Sequence, residues 1–254
     1  MKHSFCEDWE FTRHWTEAFG KGLPVPKQQA VRLPHTCREV PLHYATPADY
    51  EMVCGYRKRF RAPPVQAAPR LFVRFDGAAH QAVVRVNGRV AGQHRGGYTG
   101  FAVEITDLVD REGENLLTVQ LDTREDPAIP PFGFVIDYLT YGGIYRAVSL
   151  DIKEPAYLRD IFIEAKAEGD FRIYSSTVGE TVGCTLQAEI RSPSGSRALY
   201  QGELSLPIVG TLNGVHPWSL EHPSLYTLTV RLIRPGTNGL PDRVLDERST
   251  RFGF

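Results

Sequence analysis

In Ala82-Val83-Val84-Arg85-Val86-Asn87-Gly88-Arg89, Ala82, Val84 and Val86 fall on one side of an extended chain and Arg85 on the other, because successive strand side chains point to opposite faces. Asn87-Gly88 is the pair preferred where both central positions of a tight hairpin need positive φ. The stretch predicts a β-hairpin with one buried face.

The same alternation recurs outward from it. Phe101, Val103 and Ile105 flank Glu104, while Leu117, Val119 and Leu121 alternate with Thr118, Gln120 and Asp122. Val148, Leu150 and Ile152 are set against Ser149 and Asp151. Further on, Val182, Cys184, Leu186, Ala188 and Ile190 form one stripe, and Tyr226, Leu228, Val230 and Leu232 another, opposed by Thr227, Thr229 and Arg231. Half-buried antiparallel strands read this way. Helix is scarce: Thr46-Pro47-Ala48-Asp49 resembles a capping box with no 3.6-residue period after it, so a single helical turn is expected there. The fold class is all-β, built of sandwiches rather than βαβ units.

A length of 254 residues fits either one (β/α)8 barrel, which takes ~250, or two smaller β domains. Composition favours the second, since 23 Gly and 18 Pro fill about 16% of positions against roughly 12% in average usage. With 42% hydrophobic and 23% charged residues the chain can bury ordinary cores. A net charge of −1 gives no general field for nucleic acid or anionic membranes, so neither is an expected partner. Glu7 and Asp8 stand where a signal peptide needs its apolar run, and no stretch reaches the ~18 apolar residues of a membrane helix, which predicts a soluble cytoplasmic chain. Cys6, Cys37, Cys54 and Cys184 form no CxxC pair and read as free thiols of a reducing compartment.

Lys153-Glu154-Pro155 interrupts the pattern before a fresh stripe of Ile161, Ile163 and Ala165. A boundary there gives residues 1–152, suited to a jelly roll with extra loops, and 153–254, with room for about seven short strands of an immunoglobulin-like sandwich. Nucleophile elbows, Walker loops and dinucleotide fingerprints are absent. His35 and Cys37 near His43 match no zinc spacing and read as surface or loop side chains, so no metal and no cofactor are expected. Arg57, Lys58, Arg59 and Arg61 alternate between the faces of a strand, which predicts a solvated edge strand. Gly96-Gly97 before Tyr98-Thr99 permits close backbone approach or positive φ. Residues 129–146 combine stiff prolines and aromatics with one acid, Asp137; such a set suits stacking and hydrogen bonding of a sugar, or an aromatic corner packed under a loop.

Taken in order, these segments resemble the N-terminal half of glycoside hydrolase family 2 enzymes, the group of β-galactosidases, β-glucuronidases and β-mannosidases. The resemblance is carried by Asp8-Trp9-Glu10-Phe11, Leu33-Pro34-His35, Tyr56-Arg57-Lys58-Arg59-Phe60, Val86-Asn87-Gly88, Gly96-Gly97-Tyr98-Thr99-Gly100-Phe101 and Tyr141-Gly142-Gly143-Ile144-Tyr145-Arg146. Beyond the boundary it continues in Leu158-Arg159-Asp160, Trp218-Ser219, His222-Pro223-Ser224-Leu225-Tyr226 and Arg251-Phe252-Gly253-Phe254, the last like the family's entry into its catalytic barrel.

It implies a sugar-binding jelly roll, an immunoglobulin-like domain and a third domain, a barrel of ~250 residues that carries both catalytic glutamates. The chain is therefore expected to be the non-catalytic N-terminal part of a retaining β-glycosidase, most nearly β-galactosidase-like, inactive by itself. Its parent would act on β-glycosides or oligosaccharides and form a homo-oligomer. The implied substrate contacts are Asp137, aligned with the family's acidic residue at the non-reducing sugar, and His35 with Thr36, where many relatives carry Asp or Asn after the "LPH" turn. Arg146 is expected to bond loop carbonyls and Tyr98 to pack beneath the glycine pair. The competing reading is a free-standing carbohydrate-binding or adhesion module.

Overall fold

A computed structural model of the chain describes residues 2–39, 46–64, 69–130, 142–202, 207–237 and 239–254. They form two compact units, Met1–Ile152 and Lys153–Phe254.

The first unit holds β1 (Lys2–Ser4), β2 (Trp9–Thr12), α1 (Glu17–Gly20), β3 (Gln29–Val31), α2 (Pro47–Tyr50), β4 (Val53–Arg61), β5 (Arg70–Phe75), β6 (Gln81–Val86), β7 (Arg89–Arg95), β8 (Phe101–Glu104), β9 (Glu114–Asp122) and β10 (Val148–Lys153). Two sheets, ordered β1-β10-β5-β8 and β3-β2-β4-β9-β6-β7, make a jelly-roll sandwich. Phe11, Tyr56, Val84, Val86, Leu117, Val119 and Leu121 from the larger sheet meet Leu71, Val73, Phe75, Val103, Val148 and Leu150 from the smaller. The hairpin forms as its sequence requires, with φ of 51° at Asn87 and 80° at Gly88. Asn87 does more than turn the chain: its Nδ2 donates to Asn115 Oδ1 at 2.8 Å and its Oδ1 accepts from Leu116 N at 2.9 Å. The capping box also forms, Thr46 N donating to Asp49 Oδ2 at 2.9 Å. The short helix α1 had no sequence forecast; Thr16 caps it by accepting from Phe19 N at 3.1 Å.

The basic run departs from the edge-strand expectation. β4 lies inside its sheet, paired antiparallel with β2 on one side and β9 on the other. Arg57 is only 3% exposed, because its donors find acceptors that local sequence does not reveal. Its NH1 donates to Phe19 O (3.1 Å) and Leu23 O (2.8 Å), its NH2 to Gln28 Oε1 (3.1 Å) and its Nε to Glu10, over the ring of Phe19. Lys58 threads past Phe5 to donate to Glu7 O at 2.6 Å, its aliphatic stem covering apolar surface. Only Arg59 and Arg61 remain exposed.

The second unit is an immunoglobulin-like sandwich of β11 (Tyr157–Ala165), β12 (Asp170–Val178), β13 (Thr185–Arg191), β14 (Arg197–Gly202), β15 (Ile208–Thr211), β16 (Tyr226–Arg234) and β17 (Arg243–Phe252). The sheets are β11-β12-β15 and β14-β13-β16-β17. Leu158, Phe171, Ile173 and Ile208 pack on Leu186, Ala188, Ile190, Leu228, Val230 and Leu232. Val182 does not join that stripe and is 85% exposed, because Gly183 takes φ +74° and Cys184 N bonds back to Thr181 O, a turn that delays β13. On the outer face Glu189 accepts from Arg191 (2.7 Å) and Arg231 (3.0 Å) and lies beside Arg197 (3.3 Å). The hydrogen bond from Arg191 leads in holding its carboxyl below the usual range.

Removing the Arg57 guanidinium strands buried carbonyls and the Glu10 carboxylate. Arg57→Ala is expected to lower unfolding free energy by about 3 kcal/mol in urea titration, and Arg57→Lys to recover little, since an ammonium cannot span the same fork of acceptors.

Candidate functional site

Two motif segments of the first unit, at 33–38 and 96–98, and Ala79 between them converge on residues 142–146. His35 N donates to Ile144 O and Cys37 N to Gly142 O, both at 2.9 Å. From the other side, Ala79 and Gly143 exchange backbone hydrogen bonds of 2.9 and 3.2 Å. Glycine is required at the junction. Gly143 has φ +133°, and a Cβ on it would lie 2.4 Å from His35 O; one on Gly142 would lie 2.3 Å from Thr123 Cγ2. Thr123 in turn binds α2 and β4 to this end of the unit, its hydroxyl donating to Tyr50 O (2.8 Å) and accepting from Met52 N (2.9 Å).

The next two residues secure the glycine loop. Tyr145 donates its hydroxyl to Gly97 O, and Arg146 NH1 donates to Tyr98 O at 3.0 Å, the carbonyl role expected of it. Tyr98 does not pack beneath the glycine pair. It is 51% exposed, because Ala79 and His80 already fill the space against Gly97 and the Tyr145 phenol occupies the Gly97 carbonyl. Tyr98, with Arg95, Gly97, Thr99, Ile129 and Pro130, lines an open cavity of about 370 Å³.

His35 and Thr36 are half-buried on the 33–38 segment. His35 Nδ1 lies 2.9 Å from Tyr56 Oη, and its ring rests on Phe11 with centroids 4.8 Å apart. Burial pushes its pKa below the ordinary value, so the neutral imidazole is the form this environment favours. Cys37, read from sequence as a surface or loop residue, is in the core at 3% exposure. Its Sγ is 3.1 Å from Cys54 Sγ and 3.8 Å from Tyr56 Oη. Alternation along β4, where Cys54, Tyr56, Lys58 and Phe60 share a face, could have flagged Tyr56; nothing local marks Thr123. Asp137, Tyr141 and His43 lie outside the described residues. Among the described residues no three His, Cys, Asp or Glu side chains gather as a metal ligand set, and no helix is long and apolar enough to cross a membrane.

Residues 25–155 match the family described as "Glycosyl hydrolases family 2, sugar binding domain", and residues 156–254 match "Glycosyl hydrolases family 2". The chain belongs to glycosyl hydrolase family 2. Among family relatives, a Thermoanaerobacter pseudethanolicus β-galactosidase is 33% identical over 91% of this chain, and a Bacteroides fragilis β-glucuronidase 36% identical over 60%. The chain spans 33% of the first protein's length and 21% of the second's. A Bifidobacterium dentium β-glucuronidase structure, complexed with coumarin-3-O-glucuronide, superposes on all of the chain with a TM-score of 0.83 at 21% identity, over 48% of its own length. That likeness shows a shared fold.

Two tests follow from the family-2 junction. Gly143→Ala introduces both a strained φ and a backbone collision, and should cost about 2 kcal/mol or more in urea unfolding. His35 has a lowered folded pKa, so the unfolded chain binds the proton more readily. The stability this supports is present above the unfolded value of about 6.5 and is lost as pH falls below it. His35→Gln, which keeps a hydrogen-bonding group but does not titrate, should therefore lose less of its urea midpoint than wild type between about pH 7.5 and about pH 5.

Proposed function

We propose that this chain is the non-catalytic N-terminal part of a retaining β-glycosidase, β-galactosidase-like in substrate, which lends a loop to the substrate pocket and braces a catalytic barrel. The observation that carries this reading is the junction at Gly142 and Gly143. Three backbones fixed against one another give a rigid foot to the segment ending at residue 141, which in sequence resembles the family loop bearing the sugar-contacting acid. Over matches that span nearly the whole chain, two β-galactosidases are 33% and 28% identical and a putative β-glucuronidase 25%, an order that supports a galactoside substrate.

In this reading Asp137 accepts hydrogen bonds from sugar hydroxyls, charge-assisted and therefore strong. Holding the ring in one orientation favours a reaction carried out by groups elsewhere. His35, as a neutral imidazole, and Thr36, as a hydroxyl, each can donate to or accept from a sugar hydroxyl without the desolvation cost of a charge. Retention requires an acid/base and a nucleophilic carboxylate about 5–5.5 Å apart; the family resemblance assigns both to the barrel. The four buried free thiols support a cytoplasmic protein, and the parent is proposed to be a homo-oligomer.

The decisive assay uses a chromogenic β-galactoside. The 254-residue chain should show no turnover, whereas Asp137→Ala in the longer parent should lower kcat/KM by roughly 100-fold with an unchanged Tm. Turnover by the chain alone would overturn the non-catalytic reading, and an unchanged kcat/KM in Asp137→Ala would overturn the contact. Tight galactose binding by the isolated chain would favour a free-standing binding module instead.

A further inference from the structure

Two of the four cysteines face each other inside the first unit. Cys37 Sγ and Cys54 Sγ are 3.1 Å apart, on the 33–38 segment and on β4, and both are buried. Their neighbours separate them chemically from the other thiols: Cys6 is engaged with the backbone of Val148, and Cys184 belongs to the second unit. We propose that Cys37 and Cys54 form a reversible oxidation site, in which a small hydroperoxide converts the thiol pair to a disulfide that staples the 33–38 segment to β4. A disulfide needs its sulfurs about 2.05 Å apart, so an approach of about 1 Å completes the bond.

The order of events follows from the two environments. The hydrogen bond that Cys37 shares with Cys54 is the leading influence that holds its thiol below the ordinary range, with Tyr56 adding a second. Burial pushes Cys54 well above that range. Cys37 is thus the first nucleophile: it is the cysteine of the pair that keeps some exposure, 3% against 0% for Cys54, and the thiolate is the reactive form. Its thiolate attacks a peroxide oxygen, the O–O bond breaks, and the departing hydroxide takes up a proton as water. Cys37 is left as a sulfenic acid, oxidised by two electrons while the peroxide is reduced. Cys54 then attacks the Cys37 sulfur, the S–S bond forms, the S–OH bond breaks, and the hydroxide leaves as water with the Cys54 proton. Two thiols and one hydrogen peroxide give one disulfide and two waters.

The site acts on the junction whatever sugar is bound. Cys37 N holds Gly142 O, and Tyr56 Oη, 3.8 Å from Cys37 Sγ, also contacts His35. Oxidation therefore fixes the segment that presents His35 and Thr36.

The test treats the native full chain with hydrogen peroxide, quenches with acid, alkylates under denaturing conditions and maps peptides by mass spectrometry. The expected product is a Cys37–Cys54 cross-linked peptide, lighter than the reduced pair by two hydrogens and released by dithiothreitol, with Cys6 and Cys184 still alkylated. Cys54→Ser should abolish the cross-link and leave a sulfenic acid at Cys37 that dimedone traps. Should Cys37 and Cys54 both stay alkylatable under peroxide that fully oxidises glutathione, or should the cross-links involve Cys6 or Cys184, the proposal fails. The wild-type map decides this even where Cys54→Ser does not fold.

Discussion

Backbone meeting backbone at Gly142 and Gly143 is the constraint from which the site follows. A strand edge satisfies its hydrogen bonds with one neighbour, but here the chain is gripped from two sides, by residues 33–38 and by Ala79. A Cβ on Gly143 would strike the His35 carbonyl, and one on Gly142 the side chain of Thr123. Each glycine sacrifices conformational entropy on folding, and the return is a set of hydrogen bonds whose geometry the surrounding side chains cannot easily perturb. Tyr145 and Arg146 extend that rigidity by capping the carbonyls of Gly97 and Tyr98.

The polar groups gathered at this end are mostly uncharged. His35, Tyr56 and Thr123 exchange hydrogen bonds with one another or with the backbone, whereas the nearby carboxylates have partners of their own. Asp126 is 2.7 Å from Arg95, and Asp122 is 2.6 Å from Arg124.

What could be read in the sequence was what depends on near neighbours. The Asn87-Gly88 hairpin, the Thr46 capping box and the alternating strands of both sandwiches each rest on contacts within a few residues, so local pattern is enough. Arg57 was misread because its burial depends on Phe19 and Leu23, carbonyls more than thirty positions away in the chain, and an isolated basic run carries no sign of them. Tyr98 and Tyr145 show the same limit. Both are aromatic residues within glycine motifs, and which of them reaches the Gly97 carbonyl is settled by how two distant segments dock. Val182 failed for a local reason, the positive φ of Gly183, which alternation of apolar residues does not register. Only family resemblance singled out His35 and Thr36; alternation along β4 could have pointed to Tyr56, whereas Thr123 became visible only once the strands were assembled.

The pairing of β1 with β10 sets Lys2 opposite Asp151 and Ser4 opposite Ser149, and Cys6 bonds to Val148 across 142 residues of sequence. Closing a loop of that span costs entropy before any contact compensates it, and folds dominated by distant pairings form slowly. On the ribosome, the first unit cannot complete its smaller sheet until residue 151 has emerged. The first residues of the chain must wait, unpaired, for nearly the whole of their unit to be made, and in that interval β1 and the edge of β5 that β10 will cover are the surfaces most in need of protection from aggregation.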